Sequence, residues 1–426
     1  MSISGPRGTY DILPEQARKW QWLEGLMRDT AELYGFREIR TPVFEHTELF
    51  QRGVGESTDI VQKEMYTFTD KAGRSLTLRP EGTAPCVRSF VQHRVYNQPQ
   101  PTKWYYLGPM FRYDRPQAGR YRQFHQFGAE VFGSNNPSLD AELLLMMIDM
   151  IVKAGLKEYE LRLNSVGCET CRPSYRQALL AYLEPYRDRL CPDCRRRLDV
   201  NPLRVLDCKN QGCREVVAEA PGVGDYLCED CRRHLAVVTG LLREAGVAYT
   251  LDQRLVRGLD YYTNTAFELL VPGIGAQNAI GGGGRYNRLV SEIGGPDVPG
   301  IGFAIGLERF LLALEEAGAL PAFPPDLEVF VATTGEICAS VADRVLRELR
   351  GAGFRADRDY MGRSLKAQMR QADRQQVQVV VLIGEDEAAR GTYTLRCMRT
   401  KEQYEIGQAG LINELARILR ESREEA

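Results

Sequence analysis

The chain has 426 residues, which is enough for two or three domains. Hydrophobic residues make up 43% of it and charged residues 26%, as in ordinary globular proteins. The formal net charge of -2 excludes a globally basic nucleic-acid-binding protein, so any nucleic acid must contact a local basic patch. The apolar run at residues 143–152 is too short to cross a bilayer, and the N-terminus lacks the apolar core of a signal peptide. We therefore expect a cytoplasmic protein without membrane contact.

A turn-rich N-terminal segment is followed by a predicted helix from Glu15 to about Tyr34. Leucine, methionine and alanine side chains recur along it at helical spacing and indicate a buried stripe. A strand is expected after Pro42. The stripe indicates burial but not against which chain, so the helix packs either on its own sheet or on a second copy of the protein.

The segment TLRPEGTAPCVRSF, residues 77–90, predicts the end of a strand, a turn and then a helix that Thr83 caps. Glu81 lies on this turn, where its carboxylate is expected to be exposed. It either binds a ligand ammonium group or is an ordinary acidic residue at a helix start, where the helix dipole favours it.

Residues 104–132 predict two strands joined by a long loop. Period-two alternation places Arg112 on one face of the first strand, and Gln126 and Glu130 on one face of the second. These polar residues around a glycine suggest the floor of a site for a small charged ligand, and an amphipathic hairpin with a solvated polar face is the alternative. The loop favours a site, since it carries three arginines suited to phosphate or nucleic acid, Arg115, Arg120 and Arg122.

A predicted helix at residues 135–154 leads to a cysteine-rich insertion at about 168–240. Eight of the eleven cysteines lie there, and such clustering in a cytosolic protein favours metal over disulfides. Three of the four cysteine pairs have the CxxC spacing that suits tetrahedral zinc. We predict one structural site, because each of its two pairs lies at a turn, and reduced, unliganded thiols are the alternative. The predicted ligands are Cys191, Cys194, Cys228 and Cys231.

The segment LVRGLDYYTNTAFELLV, residues 255–271, combines Arg257 with the paired Tyr261 and Tyr262. A glycine run follows at residues 281–284, but the βαβ unit of a dinucleotide-binding loop is missing. We interpret the run as a strand end where the backbone approaches a ligand, with Arg285 and Tyr286 beside the pocket.

The proline-rich segment at residues 318–328 predicts a linker. Strands and helices alternate after it, which indicates a separate small α/β domain. Five basic side chains there form either a solvated face or a nucleic-acid contact: Arg358, Arg363, Lys366, Arg370 and Arg374.

The segment FRYDRPQAGRYRQFHQFGAEVFG resembles motif 2 of class II aminoacyl-tRNA synthetases, most closely that of bacterial histidyl-tRNA synthetases. FREIRTPVFEHTELFQRGVG resembles motif 1, PGIGFAIGLERFLLAL resembles motif 3, and RPEGT and RGLDYY resemble the family's substrate signatures. The resemblance implies an α+β fold in which an antiparallel catalytic sheet flanked by helices occupies residues 1–325. It also implies an insertion domain and an α/β anticodon-binding domain at residues 326–426.

The resemblance further implies a histidine–tRNA ligase that forms histidyl adenylate from L-histidine and ATP with Mg²⁺, and then charges the 3′ end of tRNA(His). Motif 1 would build a homodimer. Arg112 and Arg257 would be catalytic, and Arg112 and Arg309 would bind ATP. The implied histidine-binding residues are Glu81, Gly82, Thr83, Arg112, Gln126, Glu130, Arg257, Tyr261 and Tyr262.

One alternative within the same resemblance is the synthetase-like regulatory subunit of ATP phosphoribosyltransferase, a histidine sensor. That class usually lacks the C-terminal domain and the full RGLDYY residues, and this chain has both. The resemblance does not require zinc in the insertion.

Overall fold

The computed structural model describes residues 3–55, 58–275, 278–335 and 338–424. Contacts within the chain divide it into two compact units, Met1–Leu320 and Pro321–Ala426. Among the described residues, none of the helices combines the length and the apolar character needed to cross a bilayer.

The first unit is built on an eight-stranded sheet and a small three-stranded sheet. Its strands are β1 (Arg37–Glu38), β2 (Phe44–His46), β3 (Tyr66–Thr69), β4 (Ser75–Leu78), β5 (Thr102–Phe111), β6 (Gln123–Phe132), β7 (Glu160–Ser165), β8 (Thr250–Leu251), β9 (Thr263–Leu270), β10 (Ala279–Arg285) and β11 (Gly300–Gly306). Its helices are α1 (Pro14–Leu33), α2 (Thr47–Val54), α3 (Thr83–Gln92), α4 (Pro137–Lys153), α5 (Arg172–Leu183), α6 (Pro192–Val200), α7 (Gln211–Val217), α8 (Glu229–Glu244), α9 (Leu289–Glu292) and α10 (Leu307–Glu316).

The large sheet has the strand order β1-β5-β6-β11-β10-β9-β7-β8. Its inner pairs are antiparallel, and the edge pairs β1–β5 and β7–β8 are parallel. The predicted hairpin is confirmed, with Tyr106 opposite Gly128 and Gly108 opposite Gln126. The polar residues of β5 and β6 therefore share one face in the middle of the sheet, and the α+β class inferred from the sequence is confirmed.

The other face of the sheet is covered by α1, α4 and α10. The apolar stripe of α1, including Leu23, Met27 and Ala31, is buried here with the methionines of α4. Phe127 of β6 and Phe303 of β11 pack in the same core, with ring centroids 6.2 Å apart. The α1 stripe thus packs on the sheet of its own chain, which is one of the two alternatives that its periodicity allowed.

The second unit has a five-stranded mixed sheet with the order β13-β12-β14-β15-β16. The first three strands are parallel, and the last two pair antiparallel. Its elements are β12 (Val329–Thr333), α11 (Cys338–Gly351), β13 (Ala356–Arg358), α12 (Leu365–Arg374), β14 (Val379–Ile383), α13 (Glu385–Arg390), β15 (Thr392–Cys397), β16 (Gln403–Gly407) and α14 (Leu411–Glu424). The predicted small α/β domain is confirmed.

A buried ion pair joins α4 to β10 in the first unit. Asp140 accepts hydrogen bonds from Arg285 Nε at 2.8 Å, Thr265 Oγ1 at 2.6 Å and His234 Nε2 at 2.8 Å. Burial by itself raises the pKa of Asp140, but the His234 hydrogen bond and the Arg285 charge lower the pKa overall. Arg285 was expected beside the pocket; it instead lies fully buried against Asp140, because its charge needs that partner.

We predict that Asp140→Asn destabilises the first unit by about 3–5 kcal/mol, because Arg285 is left buried without its counter-charge. Calorimetry of the full chain should show a lower Tm for the transition of that unit. Glu184→Gln removes a solvent-exposed partner of Arg187 and should leave that Tm unchanged. Equal Tm values for the two variants would contradict the stabilising role of the Asp140–Arg285 ion pair.

Candidate active site

A cavity of about 280 Å³ opens on the polar face of the large sheet. Strands β5, β6, β9, β10 and β11 contribute to its lining. Most of the site residues expected from the sequence line it together: Glu81, Thr83, Arg112, Gln126, Arg257, Tyr261, Tyr262 and Arg309. Glu130 and Gly82 lie directly behind this lining, where they contact residues of the wall.

Glu130 is a carboxyl group with no exposed surface. Thr83 Oγ1 donates a hydrogen bond to its Oε1 at 2.7 Å, the Tyr286 hydroxyl donates to its Oε2, and the Tyr106 hydroxyl lies 3.4 Å from Oε1. Burial raises the pKa of Glu130 to about 8, although the hydrogen bonds from Tyr286 and Thr83 oppose the rise. The carboxyl group is therefore held at the boundary between its neutral and charged forms near physiological pH.

The neighbouring strand leaves room for this carboxyl group only because it carries glycine. Gly302 lies opposite Glu130, and a Cβ atom there would stand 1.7 Å from Glu130 Oε2. The ring of Tyr106 fills the equivalent space over Gly128, where a Cβ would lie 2.2 Å from it. Both glycines are thus required by close side-chain approach rather than by a turn.

Glu81 differs from its predicted environment. The residue is 4% exposed, and its carboxylate accepts the backbone N–H groups of Thr83 at 2.7 Å and Ala84 at 2.9 Å. The N-cap of α3 is Gly82, and the Thr83 side chain turns to Glu130 instead of capping the helix. The turn is buried because the Tyr106 ring covers it, so the predicted exposed carboxylate and the predicted Thr83 cap were wrong. Burial raises the pKa of Glu81 despite these hydrogen bonds.

Four arginines line the cavity, Arg112, Arg120, Arg257 and Arg309, and each donates to an acceptor of the chain. Arg112 Nε donates to the Pro80 carbonyl at 2.8 Å, and its guanidinium lies 5.3 Å from the centre of the Phe124 ring. Arg257 Nη1 donates to Glu268 Oε1 at 2.7 Å. Arg309, at the start of α10, donates to the carbonyls of Gly119 and Ala279 at 3.0 and 2.8 Å. These guanidinium groups alternate with the carboxyl groups of Glu81, Asp114, Glu268 and Glu308, so the cavity offers donors for an anionic ligand beside acceptors for a cationic one.

Two polar atoms of the site are buried without a hydrogen-bond partner among the described residues, Gln126 Oε1 and Arg257 Nε. An unsatisfied buried polar group costs about 1–3 kcal/mol, so its persistence points to a ligand that supplies the missing hydrogen bond.

The Arg257 side chain can lie against β10 only because Gly282 has no side chain. A Cβ on Gly282 would lie 2.8 Å from the guanidinium carbon of Arg257. The glycine run of β10 thus accommodates protein side chains in mid-strand, instead of ending the strand.

Tyr261 and Tyr262 follow Asp260 at the entry to β9, and their ring centroids are 4.7 Å apart. Both are more than nine-tenths buried. Burial raises the pKa of each hydroxyl, so each stays neutral and can donate one hydrogen bond to a ligand.

Sequence reasoning missed Tyr106 and Glu268, and it placed Tyr286 beside the pocket without giving it a role. Tyr106 shares the face of β5 with Arg112, so the strand alternation already marked it. Glu268 is a carboxylate within the apolar part of β9, between Phe267 and Leu269, which is a signal for a polar function. The contact of Tyr286 with Glu130 joins residues 156 positions apart, and no local pattern reveals it.

The structure regroups the cysteines of the insertion. Cys191 and Cys194 lie with Cys208 and Cys213, whereas Cys228 and Cys231 lie with Cys168 and Cys171. The predicted single site made of Cys191, Cys194, Cys228 and Cys231 was therefore wrong. Cys228 immediately precedes α8 and lies next to the start of α5. The short segments between α6 and α7 pack against α6.

The raised pKa of Glu130 predicts a pH-dependent effect of Glu130→Gln. The folded-state pKa of about 8 exceeds the ordinary 4.5, so the contribution of the wild-type carboxyl group is fully present below pH 4.5 and is lost as the pH rises to 8. Glutamine does not titrate. The Tm of the variant relative to wild type should therefore rise by on the order of a few °C between pH 5 and pH 8.

Scanning calorimetry at the two pH values measures this difference, with the exposed Glu316→Gln as the matched control. The control should show the same Tm difference from wild type at both pH values. A Glu130→Gln difference that does not change with pH would contradict the raised pKa.

Comparisons with known proteins agree with this geometry. The histidyl-tRNA synthetase family matches residues 8–183 and 193–310, and an anticodon-binding domain family matches residues 328–418. A histidine–tRNA ligase of Syntrophomonas wolfei is 55% identical over 98% of this chain and 99% of its own, and that of Moorella thermoacetica is 54% identical over 97% and 98%. The apo histidyl-tRNA synthetase of S. aureus has a TM-score of 0.83 at 42% identity, covering 97% of this chain and 100% of its own. With arginines and a buried carboxyl group around one cavity on an antiparallel sheet, the chain belongs to the histidyl-tRNA synthetase family of class II aminoacyl-tRNA synthetases.

Proposed function

We propose that the chain is a histidine–tRNA ligase, which forms histidyl adenylate from L-histidine and ATP and transfers the histidyl group to the 3′ end of tRNA(His). Relatives that share more than half of its residues over nearly their whole length are histidine–tRNA ligases. The observation that carries the proposal is the buried Glu130 carboxyl group behind a cavity bordered by arginines. The regulatory-subunit alternative is dropped, because the chain also has an anticodon-binding domain.

The side of the cavity next to Glu130 suits a histidine side chain. Glu130 is surrounded by hydroxyl groups and forms no ion pair with any of the described residues, so an imidazole N–H would be a favourable ligand for it. Tyr261 and Tyr262 would contact the ring, and a ring without nitrogens would leave these buried polar groups unpaired. The Glu81 carboxylate, beside Gly82 and Thr83, would accept the substrate ammonium group, with Gln126 Oε1 as a further acceptor.

In the first step, a carboxylate oxygen of histidine attacks the α-phosphorus of ATP. The new phosphorus–oxygen bond replaces the bond to the β-phosphate, and pyrophosphate leaves. Histidine supplies the nucleophile already deprotonated, so the site needs no general base. Arg112 and Arg257 would neutralise the charge that develops around the α-phosphorus, while Arg309 would hold the ATP tail. The ion pair with Glu268 holds the Arg257 guanidinium in the cavity.

ATP is commonly handled as its magnesium complex, and this site offers an oxygen ligand for the metal. Glu268 lies in the cavity with 27% of its side chain exposed, and Arg257 Nη1 contacts its Oε1. A hard cation takes carboxylate and phosphate oxygens, so Glu268 would hold Mg²⁺, which offsets phosphate charge. Any zinc in the insertion would be structural, with its ligands in the two regrouped sets of four cysteines.

For the second step, we infer that the tRNA acceptor end contacts the basic loop between β5 and β6, and that the anticodon contacts the second unit. The catalytic domain is taken to span residues 1–325 and the anticodon-binding domain 326–426, close to the division at Leu320. In the second unit, Arg358 pairs with Asp343 and Arg363 with Asp359, so part of the expected basic face is already neutralised. Because the proposed reaction uses tRNA and ATP, we propose a cytoplasmic location.

We infer a homodimer from the motif 1 segment. The small sheet, β2-β4-β3, exposes two apolar side chains on one face, with 48% of Phe44 and 44% of Phe68 accessible. Large apolar side chains grouped on a surface sheet favour contact with another chain. The stripe of α1 is already buried in its own core, so this sheet is the better candidate for the interface.

Arg257→Ala should lower kcat for histidine-dependent exchange of pyrophosphate into ATP by on the order of 10²-fold, because its charge is needed mainly in the transition state. The KM for histidine should change much less. Arg254→Ala removes an exposed arginine three residues away and should keep kcat. Exchange with another amino acid in place of histidine would refute the proposed substrate, and full activity of Arg257→Ala would refute the role of the residue.

Truncation after Leu320 should preserve histidine-dependent exchange and lower aminoacylation of tRNA by orders of magnitude. Every residue assigned to adenylate formation lies before that point, and the second unit would supply tRNA affinity only. Light scattering should first establish that the truncated chain has the same oligomeric state as the full chain. Unchanged aminoacylation by the truncated chain would show that the second unit has another role.

A further inference from the structure

The insertion contains two groups of four cysteines, and within each group all the sulfur atoms lie within 4.8 Å of one another. The first cysteine cluster consists of Cys168, Cys171, Cys228 and Cys231. The second cysteine cluster consists of Cys191, Cys194, Cys208 and Cys213. All eight are free thiols, so neither cluster is a pair of disulfides.

The sulfur separations are those of a metal tetrahedron. In the first cluster, the Sγ atom of Cys168 lies 3.5 Å from that of Cys171 and 3.8 Å from that of Cys228. In the second cluster, the Sγ atoms of Cys191 and Cys208 are 3.8 Å apart. A zinc ion with Zn–S bonds of about 2.3 Å at the tetrahedral angle sets its sulfurs about 3.8 Å apart, whereas a disulfide needs about 2.05 Å.

Backbone N–H groups point at the sulfurs, as they do around thiolates that bind metal. The N–H of Cys228 donates to Cys171 Sγ at 3.1 Å, and the N–H of Cys191 donates to Cys213 Sγ at 3.2 Å. The side-chain amide of Asn264, at the start of β9, donates to Cys231 Sγ at 3.4 Å. Hydrogen bonds of this kind orient the ligands and stabilise negative charge on sulfur.

The insertion has only a small core, so a bound metal would stabilise its fold. Its described part consists of helices joined by 3-10 turns, and its own small core is formed partly by the cysteines themselves. A segment of this size buries too little apolar surface to be fixed by packing alone, and bound metal is a common remedy. Four protein thiolates fill a tetrahedral site, so each ion would be structural.

Both clusters are connected to the segment Arg257–Tyr262 of the candidate active site. Arg204, which lies between Cys194 and Cys208 in the chain, is 6% exposed and donates from Nη1 to the Arg257 carbonyl at 2.9 Å. Asn201, three residues earlier, donates to Asp260 Oδ1 at 3.1 Å. Arg172, next to Cys171, donates to the carbonyl of Tyr262.

We propose that the insertion binds two Zn²⁺ ions, one in each cysteine cluster, and that they position the segment Arg257–Tyr262 through Arg204 and Arg172. Each ion would fix a short stretch of chain that has little other support. The arginines would transmit that rigidity to the backbone beside the reacting phosphate. The metal sites rest on the cysteine geometry alone, whereas the positioning role also rests on the proposed ligase function.

Metal analysis of the purified full chain tests the first part. We expect about two equivalents of zinc per chain, one equivalent in Cys208→Ser and one in Cys228→Ser, whose substitutions lie in different clusters. Cys397→Ser, in the second unit, is the control and should keep two. A folded chain with fewer than two equivalents, in which the cluster thiols react with a thiol reagent without prior chelation, would overturn the proposal.

Arg204→Gln tests the positioning role without altering a cysteine. Zinc content should stay at two, while kcat for histidine-dependent pyrophosphate exchange falls on the order of 10-fold or more and the KM values change less. Arg204→Lys, which keeps a donor, should recover part of kcat, and the exposed Arg214→Gln should match wild type. Full kcat in Arg204→Gln would overturn the role. Failure of the ligase assignment would appear separately, as wild-type chain that has two zinc ions and no histidine-dependent exchange.

Discussion

The arrangement of the site depends on the burial of one carboxyl group, that of Glu130. A carboxyl group without solvent is costly unless hydrogen bonds compensate it, and here Thr83 and the hydroxyl of Tyr286 supply them. These donors come from α3 and from the turn after β10, so the cost is met only when distant parts of the chain come together. Gly302 has to be glycine because the carboxyl group occupies the space of its side chain.

The charged side chains of the first unit have two different roles: some stabilise the fold and others line the cavity. Arg285 and Asp140 neutralise each other in full burial and tie α4 to the sheet, so this pair has a structural role. Arg112 and Arg309 instead donate to backbone carbonyls, which orient their guanidinium groups. Both guanidinium groups line the cavity, where a polyphosphate would contact them.

The insertion and the catalytic sheet meet at the segment that carries Arg257. This segment has little regular structure between β8 and β9, so its conformation depends on what it contacts. Gly282 lets the Arg257 side chain lie against the sheet from one side, and Arg204 fixes its backbone from the insertion. A charged side chain that acts on a transition state gains from such fixation, because reorientation during the reaction costs rate.

The sequence by itself determined the motif order, the β5–β6 hairpin, the α/β nature of the second unit and a set of site residues, most of which line the cavity. These features follow from local periodicity and from short motifs whose spacing is set by the backbone, as with Arg112, Gln126 and Glu130 on one face. Only the tertiary structure decided the burial of Glu81, the pairing of Arg285 with Asp140, the role of Tyr286 and the grouping of the cysteines. Each of these depends on contacts between residues far apart in the chain, and spacing along a sequence carries no information about which distant segments meet.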